Sequence, residues 1–133
     1  MQTDIELINT EVYAGRLKDK KGLNNSSSGG AFTALSDFFL KNGNAVVAVV
    51  YNYATHTAEF QMILDEKQRE RAKGSKYMQS YAAKVYPEIK KLLKDGKMVL
   101  FTGMPCQVAG LYSYLGQEYA NLYTIDLLCH GIT

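Results

Sequence analysis

Short apolar runs along the chain alternate with segments whose apolar residues recur at helical spacing. The longest run, Asn44–Tyr51, is rich in β-branched residues and lacks polar alternation, as is typical of a strand buried on both faces. Similar patterns predict strands over Ala58–Leu64 and Lys97–Thr102. A short first strand is predicted over Glu11–Gly15 and a last strand over Leu122–Cys129.

The segments between these strands predict helices. Apolar residues recur every three or four positions after Ser26–Gly30, and Gly43 stands where a helix is expected to end. The predicted helices follow Ser26–Gly30, cover Asp65–Ala72, extend from about Pro87 to Gly96, and cover Gln107–Leu115.

Strands that alternate with helices predict an α/β fold with right-handed crossovers. We therefore expect residues 1–133 to form a single α/β domain, with a mixed, mostly parallel sheet flanked by helices. The polar segments Lys18–Asn25 and Lys73–Tyr77 are predicted to be loops. No closing helix follows the last strand, so we expect this chain to be a fragment of a larger protein.

Composition and charge argue against several classes of function. The formal net charge of +2 and the absence of a basic block give no strong field for nucleic acid. The longest aliphatic run, Ala45–Val50, is far shorter than the roughly 20 residues that span a bilayer. The N-terminus carries acids where a signal peptide has a basic region and an apolar stretch. We therefore predict a cytoplasmic protein without a membrane span.

The two cysteines are the main chemical signal. Cys106 and Cys129 each follow an apolar strand-like run, so parallel neighbouring strands would bring both thiols to one edge of the sheet. They could be inert core residues, a redox pair or two ligands of a metal cluster. A four-iron cluster or a zinc site normally needs four ligands, so the remaining ligands would come from elsewhere.

Two glycine-containing loops are further candidates. Ser26–Gly30 precedes a helix, where free N–H groups and the helix dipole attract phosphate; the alternative is an N-cap by Ser28. Lys73–Tyr77 offers two cations and an aromatic plane to a flat, anionic ligand, or is simply a solvated loop.

Four blocks together resemble the coenzyme F420 hydrogenase/dehydrogenase beta-subunit family. They are Ser26–Phe32, Gly74–Ser80, Leu100–Gln107 and Asp126–Gly131, in the family's order and spacing. The resemblance spans nearly the whole chain from Val12 onward. Two departures are apparent, since the chain lacks the ferredoxin-like cysteine-rich segment of many relatives and does not continue past the last block.

The resemblance implies a module of a flavoprotein oxidoreductase that binds FAD and works beside a 4Fe-4S cluster. Such proteins transfer hydride to a soluble carrier such as coenzyme F420 and pass single electrons to a redox partner subunit or ferredoxin-like domain. Because of the departures, the isolated fragment could be unable to hold FAD or the cluster and could be inactive. The FAD contacts implied are Ser27, Ser28, Gly29, Gly30, Gly74, Ser75, Lys76, Tyr77, Gly103 and Pro105, and the cluster ligands implied are Cys106 and Cys129.

Two other readings of the sequence stay open. A non-catalytic α/β binding or assembly module would use both cysteines as structural residues of the core. A Cys/His hydrolase or transferase would require His130 beside a reactive Cys106.

Overall fold

The structure is a computed structural model that describes residues 10–131. Its helices and strands alternate along most of the chain, as the apolar pattern predicts. In chain order they are α1 (Lys20–Asn24), α2 (Ala31–Lys41), β1 (Ala45–Asn52), β2 (Thr57–Ile63), α3 (Glu66–Ala72), β3 (Ser80–Tyr81), α4 (Tyr86–Lys94), β4 (Val99–Gly103), α5 (Pro105–Leu115) and β5 (Leu122–Asp126).

The strands form one mixed, mostly parallel sheet in the order β3-β2-β1-β4-β5. Strands β1, β4 and β5 are parallel neighbours, and β2 is antiparallel to β1. The short β3 lies parallel to β2. The carboxyl ends of β1, β4 and β5 therefore share one edge of the sheet, and β2 and β3 begin at that same edge because Thr57 pairs with Asn52.

Helices cover both faces of this sheet. On one face, Val47 and Phe101 belong to a core with residues of α4 and α5 such as Ile89 and Leu111. On the other face, Val46 belongs to a second core with residues of α2 and α3. Burial on both faces explains why the β1 sequence is apolar without alternation. The predicted α/β architecture is confirmed.

Two predictions for the N-terminal part are wrong. Glu11–Gly15 pairs with no strand, and Val12 and Tyr13 are 90% and 82% exposed, because they contact no core. Lys18–Asn25 is not entirely a loop, since α1 forms within it. The carboxylate of Asp19 accepts a hydrogen bond from Gly22 N at 2.6 Å and so caps this helix.

The last predicted strand is too long. Pairing with β4 ends at Asp126 opposite Gly103, so residues 127–129 lie beyond the strand. Strand β5 is also at the edge of the sheet, and Asp126 is exposed rather than buried. The two-residue β3 has no sequence signal because it is too short for alternation. No helix within residues 10–131 has the length and apolar character needed to cross a membrane.

Candidate functional site

A groove lies at the edge where β1 ends, which is the position at which open α/β sheets bind ligands. It is open to solvent and has a volume of about 580 Å³. We call it the edge groove. It is lined by the end of β1, the β1–β2 turn, the end of α3 and the loop that follows α3, through Tyr51, Tyr53, Glu70, Arg71, Lys73, Gly74, Ser75, Lys76, Tyr77 and Met78.

The loop after α3 is shaped by Lys76. Its Nζ donates hydrogen bonds to the carbonyl oxygens of Ala72, Lys73 and Gly74 at 2.5, 3.0 and 3.0 Å. The partly buried ammonium therefore satisfies carbonyls at the C-terminus of α3, where a cation also complements the helix dipole. Burial lowers the pKa of Lys76 from its ordinary value. The loop turns at Gly74, whose φ of 84° is in the left-handed region that favours glycine.

Charge in the edge groove is predominantly positive, but most of it is paired. Lys73 Nζ lies 2.8 Å from Glu70 Oε1, and Arg69 Nη2 lies 3.3 Å from the same oxygen. Arg71 is exposed and forms no ion pair with any of the described residues. Arg71 is therefore the cation in this groove that is most available to an anionic ligand.

Aromatic rings contribute the apolar part of the edge groove. Tyr51 and Tyr53 meet edge to face, with ring centroids 4.8 Å apart. Tyr53 and Tyr77 are 81% and 96% exposed, so both rings retain most of their surface for other contacts. The edge groove therefore offers a ligand open aromatic rings and one cation that is unpaired among the described residues.

The Ser-Gly-Gly loop, Ser27–Gly30, is a separate structure and does not line the edge groove. Ser27 and Ser28 are exposed, and Gly30 rather than Ser28 is the N-cap of α2. Gly30 has a φ of 80°, and no side chain caps this helix. The alternative of an N-cap by Ser28 is therefore wrong. Gly29 O accepts a hydrogen bond from Leu17 N at 2.8 Å, which ties the loop to the preceding segment.

The turn between β4 and α5 contains Gly103, Pro105 and Cys106. Pro105 is the first residue of α5, and Cys106 is exposed in its first turn. Gln107 Oε1 accepts a hydrogen bond from Met104 N at 2.9 Å. A Cβ at Gly103 would lie 3.1 Å from this oxygen and 3.0 Å from the Phe101 ring, so the glycine permits the close turn.

Gln107 also connects this turn to the other side of the sheet edge. Its Nε2 donates hydrogen bonds to the backbone oxygen and the hydroxyl of Ser80 at 3.0 and 3.2 Å. Ser80 begins β3, directly after the loop that lines the edge groove. Tyr86 donates from its hydroxyl to Gln107 O at 2.8 Å, and burial, followed by the charge of Cys106, raises the pKa of Tyr86.

The second cysteine, Cys129, lies beyond the end of β5. It is exposed, and its sulfur accepts a hydrogen bond from Gly131 N at 3.3 Å. Within residues 10–131, no three histidine, cysteine, aspartate or glutamate side chains come together as a set that could hold a metal ion. The described residues by themselves therefore do not fit an iron–sulfur cluster. No hydrogen bond among them joins either cysteine to His130, as a Cys/His dyad would require.

The structure thus brings together Gly74, Ser75, Lys76 and Tyr77 in one groove, and it adds residues that the sequence motifs missed. Tyr51, Tyr53 and Arg71 are the main additions. Tyr51 follows a buried run at the end of β1, so its position at the end of a strand was a usable signal. Arg71 carries no such signal, because a charged helix residue is usually only solvated.

Comparison with known proteins gives a consistent assignment. The fold is similar to that of a chain in the F420-reducing [NiFe] hydrogenase complex from Methanosarcina barkeri, with a TM-score of 0.67 and 22% sequence identity. The match covers 86% of this chain and 42% of that chain, so the present chain spans less than half of its length. A search of curated proteins finds no match. The family model for the N-terminal part of the coenzyme F420 hydrogenase/dehydrogenase beta subunit matches residues 12–86, more than half of this chain, which therefore belongs to that family.

Proposed function

We propose that the chain is part of an FAD-dependent oxidoreductase and that the edge groove holds the phosphate-bearing part of FAD. The observation that carries this proposal is the groove formed by Gly74–Tyr77 and the end of β1, where cationic and aromatic side chains meet. When bound, FAD would supply electron transfer in steps of one or two electrons. Family membership supports the oxidoreductase assignment.

The residues of the edge groove have different roles in this proposal. Arg71, the exposed cation without an ion pair among the described residues, would meet the negative charge of the diphosphate. Lys76 already donates to three carbonyl oxygens, so it would act by holding the loop rather than by contacting phosphate. Ser75 would add a hydroxyl, and Tyr77 an exposed ring.

The proposal also includes the predicted contacts outside the edge groove. Ser27, Ser28, Gly29 and Gly30 precede α2, whose N-terminus carries no side-chain cap and so has N–H groups available for an anion. Gly103 and Pro105 would shape the neighbouring turn after β4.

For the iron–sulfur cluster, the proposal is limited to two ligands. Cys106 and Cys129 are both exposed and free, so each could reach a cluster whose other ligands come from another segment or a partner subunit. Exposure also argues against the alternative in which both cysteines are structural, because structural thiols are typically buried.

The carrier, the partner and the compartment complete the proposal. The hydrogenase chain of similar fold comes from a complex described as F420-reducing, which supports coenzyme F420 as the soluble hydride carrier and a redox partner subunit. We propose a cytoplasmic site of action, in keeping with a soluble carrier.

The FAD proposal is tested by titrating the 133-residue protein with FAD and following flavin fluorescence. We expect saturable binding, weakened about tenfold by Arg71→Met because a charge-assisted contact is lost. Lys91→Met is the matched control, since Lys91 is an exposed lysine on α4 outside the groove. Absence of saturable binding by the unmodified protein, or equal affinity in the two variants, would count against the groove as the phosphate site.

The cluster proposal needs a separate measurement. Anaerobic reconstitution of the intact protein with iron and sulfide, followed by iron analysis, should show that Cys106→Ser and Cys129→Ser each lower the iron content. Ser113→Ala on the exposed side of α5 serves as the control. Unchanged iron content in both cysteine variants would remove them from the set of ligands.

A further inference from the structure

The turn between β1 and β2 contains a tyrosine–histidine pair beside the edge groove. Nδ1 of His56 lies 3.1 Å from the hydroxyl oxygen of Tyr51, within hydrogen-bond distance. Tyr51 lines the edge groove, whereas His56 does not. The imidazole therefore contacts a residue of the groove without lining the groove itself.

His56 occupies an unusual backbone conformation. Its φ of 55° makes it the one non-glycine residue with a positive φ within residues 10–131. Left-handed backbone is uncommon for residues other than glycine, and histidine is, with asparagine and aspartate, one of those that adopt it most readily. The turn does not need this side chain for closure, because Asn52 Oδ1 already accepts hydrogen bonds from Ala54 N and Thr55 N.

The same pair supports an aromatic surface. Tyr51 meets Tyr53 edge to face at 4.8 Å and His56 at 6.4 Å between ring centroids. The Tyr53 ring contacts Tyr51, yet it is 81% exposed and lines the edge groove. Tyr77, also exposed, lines the groove from the loop after α3. Open rings on both segments suit a planar ligand ring that would stack on them.

We propose that Tyr51 and Tyr53 form a docking surface for a planar ring of the ligand, and that His56 is the positioning residue that fixes Tyr51. This inference rests on the proposed function, because the ring belongs to the nucleotide or flavin whose phosphates the groove would hold. The hydrogen bond between His56 Nδ1 and the Tyr51 hydroxyl would fix the orientation of the tyrosine ring. A merely structural turn would be served at least as well by glycine at position 56.

The experiment compares binding and stability in the same variants. The 133-residue protein is titrated with FAD, riboflavin and ADP, and thermal unfolding is measured for each variant. We expect Tyr53→Ala to weaken FAD binding about tenfold. Tyr53→Phe should bind FAD as tightly as the unmodified protein, since phenylalanine keeps the ring. His56→Gly should weaken binding about threefold and change the unfolding temperature little, because glycine accepts the left-handed backbone but adds entropy to the unfolded chain. Tyr112→Ala, an exposed tyrosine on α5, is the control.

The three probes separate the possible outcomes. If the variants lose affinity for riboflavin as they do for FAD, the docked ring is the flavin. If they lose affinity for ADP instead, the docked ring is adenine. Either result supports the inference. Wild-type FAD affinity in both Tyr53→Ala and His56→Gly overturns the inference while leaving the proposed function intact. If the unmodified protein binds none of the three probes, both are overturned.

Discussion

Gly103 and Asp126 lie opposite each other as the last paired residues of β4 and β5. Each is followed three positions later by a cysteine, Cys106 in the first turn of α5 and Cys129 in the segment after β5. The segments that carry the two cysteines therefore leave the sheet at the same edge, as the sequence pattern predicts. Their exposure makes this arrangement chemically accessible.

The first prediction concerns these thiols. Because both Cys106 and Cys129 are exposed, a thiol reagent should modify two thiols per chain in the native protein at a rate close to that in denaturant. Single variants, Cys106→Ser and Cys129→Ser, should each lose one modified thiol. Slow modification that becomes fast only in denaturant would show that the thiols are protected and would contradict the exposure described above.

The second prediction concerns the buried guanidinium of Arg69. Its Nη2 lies 2.8 Å from Asp37 Oδ1 and joins α3 to α2, and Arg69 is only 5% exposed. Asp37→Asn should lower the free energy of unfolding by about 2 kcal/mol, because it leaves a buried charge with only Glu70 as its partner. Urea denaturation measures this change.

Two further variants serve as comparisons for Asp37→Asn. Arg69→Met should cost less than Asp37→Asn, since it removes the charge itself and two buried nitrogens, Nε and Nη1, that have no hydrogen-bond partner in the described part of the chain. Glu118→Gln, at an exposed position, should change stability by less than about 0.5 kcal/mol. Equal stability of Asp37→Asn and the Glu118 control would show that the ion pair contributes nothing.

The third prediction compares two glycines with similar backbone angles. Gly30 has a φ of 80° and Gly43 a φ of 69°, so alanine at either position costs about 1 kcal/mol of backbone strain. A Cβ at Gly30 would also collide with Cδ1 of Leu17, whereas a Cβ at Gly43 meets open space. Gly30→Ala should therefore lose about 1–3 kcal/mol more than Gly43→Ala in thermal or urea unfolding. Equal losses would mean that Leu17 moves away without cost.

The fourth prediction concerns alkaline pH. Burial, followed by the charge of Cys106, raises the pKa of Tyr86 above its ordinary value of 10.0. The folded state then holds the phenolic proton more tightly than the unfolded chain does. The resulting stability is complete below pH 10.0 and is lost as the pH rises through the raised pKa.

This behaviour is measured by urea unfolding of the wild type and Tyr86→Phe at several pH values. Near pH 7 the variant should be less stable by about 1 kcal/mol, because Tyr86 no longer donates to Gln107 O. The difference should shrink above pH 10.0, where the wild type must ionise on unfolding. Tyr81→Phe, at an exposed position on β3, is the matched control. A difference that stays constant with pH would contradict the assigned cause.

Some elements could be predicted because their signals are local. The apolar run of β1 and the helical spacing of α2 require only neighbouring residues, and both elements form within one residue of the expected bounds at most of their ends. The strand prediction for Glu11–Gly15 is wrong because a local apolar pattern is not sufficient, and a strand forms only if another strand pairs with it. Capping of α1 is a local interaction as well, since the Asp19 carboxylate accepts a hydrogen bond from Gly22 N three residues later.

The sequence by itself determined the α/β class, the burial of β1 on both faces and the position of both cysteines after strands. Only the tertiary structure decided that Tyr51 and Tyr53 face the Gly74–Tyr77 loop in one groove, and that Ser27–Gly30 lies apart from it. It also decided that Lys76 binds carbonyl oxygens of its own chain. The physical reason is that the apolar periodicity of a helix or strand reflects residues that are close in sequence. Strand order and the meeting of distant loops depend instead on how both faces of the sheet are buried.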